Sequence, residues 1–115
     1  MLYEGSCHCG RIAFTVEGTI DKAMACNCSI CQRKGSLLWF GPRSALTLKT
    51  PESDLSTYEF NKHVIKHRFC AVCGMHPFGE GKDKQGNATV AVNIRCIENI
   101  DLDSVAVTHF DGRSK

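Results

Sequence analysis

Nowhere in this chain does an apolar run approach the roughly 20 residues that a membrane-crossing helix needs. The opening segment, Met1-Leu2-Tyr3-Glu4-Gly5, also lacks a basic region followed by an apolar stretch, as a secretory leader would have. These absences lead us to expect a soluble, cytoplasmic protein. Long amphipathic helices are missing as well. The one helical segment near a motif is Ser29 to Lys34, where Ser29 is placed to cap a turn carrying Cys31, and it is too short to organise a fold. Neither sign of charge dominates: 14 basic and 12 acidic residues are mixed along the chain for a net +2, and base concentrates only at Arg33-Lys34 and across 62–68. Such a balance argues against nucleic acid as a main partner. There is no internal repeat, linker or low-complexity tract, so residues 1–115 are expected to form one domain.

What is present is period-two alternation. Residues 11–17 run Arg-Ile-Ala-Phe-Thr-Val-Glu and stop at Gly18, the pattern of a half-buried strand. Further strand candidates are 37–41, 45–49, 56–60, 64–69, 88–94 and 105–109, separated by turn signals such as Gly41-Pro42 and the polar run 82–87. Short strands at close spacing predict an all-β domain whose strands are joined by metal-bearing loops. At 115 residues such a domain buries only about two-thirds of its unfolded surface, so a metal staple is a useful supplement to its core.

Seven of the eight cysteines supply that staple in three clusters: Cys7-His8-Cys9, Cys26-Asn27-Cys28-Ser29-Ile30-Cys31 and Cys70-Ala71-Val72-Cys73. Eight cysteines also permit a disulfide scaffold. Nothing else in the chain suggests secretion, however, and cysteines two apart on an extended segment bridge each other poorly while both can bite one metal. Coordination chemistry divides the seven into four plus three, because structural zinc takes a closed tetrahedron and catalytic zinc keeps a position open. Cys7 and Cys9, followed by Gly10, and Cys70 and Cys73, followed by Gly74, make two half-sites of a four-thiolate centre that would close a long loop. Cys26, Cys28 and Cys31 can all reach one ion from a single loop. The fourth position there is either open to water or an incoming thiol, or closed by Cys96 or one of the five histidines. Three thiolates make zinc a weak Lewis acid but well suited to keeping a sulfur ligand ionised, so thiol activation is expected in preference to water attack. Cys96 stands alone after an alternating run and reads as a small core residue.

These motifs have a known likeness. Gly5-Ser6-Cys7-His8-Cys9-Gly10, Cys26-Asn27-Cys28-Ser29-Ile30-Cys31-Gln32-Arg33-Lys34 and Phe69-Cys70-Ala71-Val72-Cys73-Gly74 resemble the glutathione-dependent formaldehyde-activating family, also called the CENP-V/GFA domain. Residues 92–96 and 109–113 are similar to its closing motifs. The resemblance implies a small all-β fold, the β-tent, built around a structural zinc held by Cys7, Cys9, Cys70 and Cys73. It further implies a catalytic zinc held by Cys26, Cys28 and Cys31, which three ligands alone would hold loosely, glutathione as the thiol partner, and S-(hydroxymethyl)glutathione synthase chemistry, a carbon-sulfur lyase activity. Some members of the CENP-V type are instead non-catalytic zinc modules for protein or chromatin contacts, and an open thiolate site would also suit redox sensing. Gln32, Arg33 and Lys34 are candidates to meet the carboxylates of a glutathione-like ligand, or are simply solvated. His76 and His109 are proton carriers if they line a pocket and otherwise locally satisfied histidines. Trp39 and Phe40 read as core. The chain departs from the family after Gly74, where Met75-His76-Pro77-Phe78 replaces a small hydroxyl-bearing residue.

Overall fold

Alternating burial decides where the chain extends. The computed structural model describes residues 1–59 and 65–114. Its strands are β1 (Leu2–Ser6), β2 (Ala13–Glu17), β3 (Lys22–Cys26), β4 (Leu38–Pro42), β5 (Leu46–Leu48), β6 (Leu55–Tyr58), β7 (Lys66–Cys70), β8 (Phe78–Lys82), β9 (Ala88–Asn93) and β10 (Ala106–Phe110). The six-residue helix α1 (Ser29–Lys34) stands where it was expected, although the residue that caps it is Cys28 and no side chain makes the capping bond. Among the described residues no helix is long and apolar enough to cross a membrane.

The protein is therefore all-β, in two sheets. A three-stranded sheet runs β1-β2-β5, and a seven-stranded sheet runs β10-β3-β4-β9-β8-β7-β6, antiparallel throughout except that β10 lies parallel to β3. One face of the large sheet meets the small sheet across the core. Tyr3, Phe14, Val16 and Leu46 from the small sheet pack with Phe78, Val90 and Val92 from the large one. The Phe14 and Phe78 rings meet edge-on at 6.0 Å, the arrangement their quadrupoles favour. Strand residues point alternately to opposite faces, so the neighbours Gly79 and Ala91 turn to the outer face of the large sheet. At the edge of the core, Glu80 accepts from Arg43 Nε at 2.7 Å and from Arg68 Nη1 at 2.8 Å.

The candidate segments 11–17, 37–41, 45–49, 88–94 and 105–109 coincide with β2, β4, β5, β9 and β10, and 56–60 and 64–69 with β6 and β7, apart from Phe60 and Val64, which lie outside the described residues. Three strands were not expected. β1 carries Gly5, which is needed because a Cβ there would sit 2.5 Å from the Phe14 ring. β3 is alanine-rich and β8 reads Phe-Gly-Glu-Gly-Lys, and alanine and glycine are both depleted in strands.

Candidate functional site

Two turns carry the first cluster. After β1 the chain folds back with the Cys7 N–H bonded to the Ile12 carbonyl at 2.9 Å, and after β7 the Gly74 N–H bonds the Cys70 carbonyl at 2.8 Å. Both turns need a left-handed residue, and glycine provides it at Gly10 (φ 85°) and Gly74 (φ 78°). Backbone amides then point at sulfur: Ile12 N–H reaches Cys7 Sγ at 3.3 Å and Cys73 N–H reaches Cys70 Sγ at 3.5 Å. Antiparallel pairing does not join β1 to β7, yet the fold brings their ends together so that the four sulfurs lie within 4.8 Å of one another. Sulfur separations of 3.7 Å (Cys7 to Cys9) and 3.6 Å (Cys9 to Cys70) match the edge of about 3.8 Å of a tetrahedron with Zn–S near 2.3 Å. The donor set fits zinc.

Electrostatics says the same. Backbone N–H groups of Cys9 and Met75 hold the Cys73 thiol down to about 6, and the Cys73 N–H lowers Cys70. Cys9, by contrast, is pushed up to about 11: the Arg11 backbone lowers it, but desolvation and the neighbouring sulfurs outweigh that. Four crowded thiols cannot all ionise without a cation among them.

The second cluster hangs between β3 and α1. Cys26 ends β3, Cys28 caps α1 and Cys31 sits in its first turn, and their three sulfurs also lie within 4.8 Å of one another. The Cys28 N–H points at Cys26 Sγ at 3.4 Å. Burial raises Cys28, but amides and thiols of its neighbours outweigh this and lower it overall, while burial and the facing thiolates push Cys31 up to about 12. This trio too needs a positive charge to ionise together, and its donor set fits zinc. The closing segment buttresses it. Asn27 donates to Asp111 at 3.0 Å and accepts from the Arg113 N–H at 2.9 Å, and Arg113 also bonds Gln32. Gly112 lies so close that a Cβ there would stand 2.6 Å from Cys26 Sγ.

Cys96 does not join either group. It is buried in the main core, with Asn93 Nδ2 3.7 Å from its sulfur. Among the described residues no histidine, aspartate or glutamate completes the trio either; His63 lies outside them. None of the eight cysteines is in a disulfide.

The trio opens onto a cavity of about 380 Å³ on the outer face of the large sheet. Its walls are apolar, and its polar groups gather at one corner, where Lys34 Nζ stands 3.4 Å from His67 Nδ1 and 3.3 Å from both ring nitrogens of His76. Burial, and then the Lys34 charge, lowers both histidines, His76 to about 3, so both rings are neutral near pH 7. Burial also lowers Lys34, opposed by the Cys31 and Cys28 thiolates. A more open groove shares Cys26 and Cys31 with the cavity and none of its other described lining residues. Ala25, Gln32, Ser36, Arg95 and His109 line it. Because Met24 faces the cavity and its neighbour Ala25 the groove, the two hollows lie on opposite faces of the sheet.

Sequence reasoning therefore placed the thiols but not their surroundings. Of Gln32, Arg33 and Lys34, only Lys34 enters the cavity; Arg33 turns back to the Ser29 carbonyl at 2.8 Å. His76 lines the cavity and His109 the groove. Trp39 packs against the core, whereas Phe40, expected there too, is 52% exposed and forms cavity wall. His67 was not singled out, since a histidine within a basic strand carries no local signal.

Fold and site together define a small all-β protein with two cysteine clusters able to hold zinc. The sequence model of the glutathione-dependent formaldehyde-activating enzyme family matches residues 2–109, and the chain belongs to that family. Membership points to zinc binding and formaldehyde activation as its class of function, and is consistent with a thiol partner. Among solved structures, the crystal structure of a Rhodobacter sphaeroides protein is similar with a TM-score of 0.77 at 27% identity, over 91% of this chain and 99% of that one.

Proposed function

We propose that the chain acts as one domain over residues 1–115, and that it is a zinc-dependent carbon-sulfur lyase of the S-(hydroxymethyl)glutathione synthase type, adding a glutathione-type thiol to a small aldehyde. The observation that carries this is the convergence of three sulfurs, with no fourth ligand among the described residues, between a cavity and a groove. Cys7, Cys9, Cys70 and Cys73 hold a structural zinc, and Cys26, Cys28 and Cys31 a second, catalytic one. Zinc bound by the trio supplies the positive charge that keeps an incoming thiol ionised at neutral pH.

The remaining work falls to the chain. A polar tripeptide thiol approaches from the groove, where the Arg95 guanidinium is placed to meet a carboxylate and Gln32 and Ser36 offer hydrogen bonds. Gly112 leaves the Cys26 sulfur uncrowded, and the Asn27, Asp111 and Arg113 bonds hold the loop in place. The thiol sulfur forms a bond to the aldehyde carbon, the carbonyl electron pair moves to oxygen, and that oxygen takes up one proton for the one the thiol released. The thiols must stay reduced throughout, which suits a cytoplasmic setting.

Calorimetric titration of zinc-loaded protein with glutathione tests the reading. Saturable binding is expected, and Cys28→Ser abolishes it while the domain stays folded and zinc falls from two equivalents towards one. Absence of binding at millimolar glutathione would refute the enzymatic reading and leave a non-catalytic zinc module.

A further inference from the structure

The cavity is out of scale and out of character for formaldehyde. Its volume of about 380 Å³ would hold a dozen waters at about 30 Å³ each, whereas formaldehyde has only two heavy atoms. Met24, Ile30, Leu38, Phe40, Ile65 and Phe110 supply its walls. Phe40 keeps 52% and Phe110 40% of its surface exposed, an arrangement that is costly in water and favourable once an apolar group covers it. Glutathione itself does not suit this space. It brings two carboxylates and an ammonium, and among its described lining residues the cavity offers a single ammonium, Lys34, flanked by two neutral histidines, so most of that charge would be desolvated without a partner there. The groove on the other face, where Arg95, Gln32 and Ser36 stand beside Leu37 and Val107, is less apolar than the cavity and the better place for it.

We propose that the cavity is the subsite for the electrophile's hydrocarbon substituent, so that this chain prefers aldehydes carrying an apolar alkyl or aryl group over formaldehyde, with the carbonyl oxygen directed at Lys34 Nζ. The assignment rests on the thiol-addition reading given above. It divides the trio's two sides between the two reactants: polar thiol from the groove, apolar aldehyde from the cavity. The Lys34 ammonium donates a hydrogen bond to the oxygen on which charge develops, His67 and His76 hold that ammonium against the wall, and the product is the neutral hydroxyalkyl thioether, thiol and aldehyde having combined without loss of any atom.

Two measurements test it. Ligand-observed NMR gives dissociation constants of unreactive alcohols, from methanol to hexanol and benzyl alcohol, for zinc-loaded protein. Steady-state rates are taken with glutathione and the matching aldehydes, from formaldehyde to hexanal and benzaldehyde. Affinity and kcat/KM are both expected to rise roughly fourfold per methylene until the cavity is filled. Phe40→Ala, at a half-exposed position whose loss leaves the core intact, should flatten that rise with an unchanged zinc count. Lys34→Met should lower kcat/KM for all aldehydes alike while leaving the gain per methylene unchanged in both the aldehyde and the alcohol series. Faster addition to formaldehyde with no dependence on chain length would overturn the subsite while the thiol-addition reading stands. Chain-length-dependent alcohol binding without glutathione binding would overturn that reading and, with it, aldehyde as the occupant.

Discussion

Replacing Cys70 by serine should unfasten the two ends of the fold. Its sulfur is fully buried, 3.6 Å from Cys9 Sγ, and 61 residues separate the two in sequence. Treated as a cross-link, a loop of that length removes about 4 kcal/mol of chain entropy from the unfolded state. For a domain of this size each kcal/mol is about 4 °C in Tm, so loss of the clasp should lower Tm by about 15 °C. The trio closes loops of only a few residues, about 2 kcal/mol by the same relation, and α1 and the closing segment already fix part of that geometry. Cys28→Ser should therefore cost less than about 8 °C. Thermal unfolding by circular dichroism, run beside zinc analysis, reads both. Equal shifts for the two variants, or a Cys70→Ser protein that keeps its zinc and its Tm, would refute the division into clasp and open site.

Further outcomes follow from the same geometry. Gly112→Ala places a Cβ 2.6 Å from Cys26 Sγ, so competition with a chromogenic chelator should show zinc leaving the trio at least tenfold more readily, with the other site unmoved. His76 is 9% exposed and, pushed by burial and then Lys34 from its ordinary 6.5 to about 3, folds as the neutral ring. The unfolded chain then binds more protons, so this stabilisation is complete above about pH 6.5 and fades towards pH 3, a loss of about 2 kcal/mol at pH 5. His76→Gln should remove that share of the acid sensitivity in urea unfolding compared at pH 7 and pH 5, leaving the share of His67, which faces the same corner. An unchanged pH slope would contradict the placement of His76.

Much of the fold was legible because β-branched and aromatic residues alternate in segments such as 11–17 and 88–94, where one face must be buried. Gly5, the alanines of β3 and the glycines of β8 hid their strands because those residues answer to neighbours, such as the Phe14 ring, that no local pattern reveals. The thiol clusters were legible for the opposite reason: close spacing makes each half-site local. The Lys34, His67 and His76 corner was not, since it unites α1, β7 and the turn after Gly74 through sheet order alone. Phe40 was misplaced because alternation says that two neighbours face opposite ways, not which of them faces the core.

The central claim, that the trio takes a thiol as its fourth ligand, is tested most directly by cobalt. Protein loaded with two equivalents of cobalt(II) should show a saturable change in its sulfur-to-cobalt charge-transfer band as glutathione is added, ending at one thiol per chain. Cys28→Ser should lose that change while keeping the spectrum of the four-thiolate centre. A band that glutathione leaves untouched, or a response that survives in Cys28→Ser, would contradict the account.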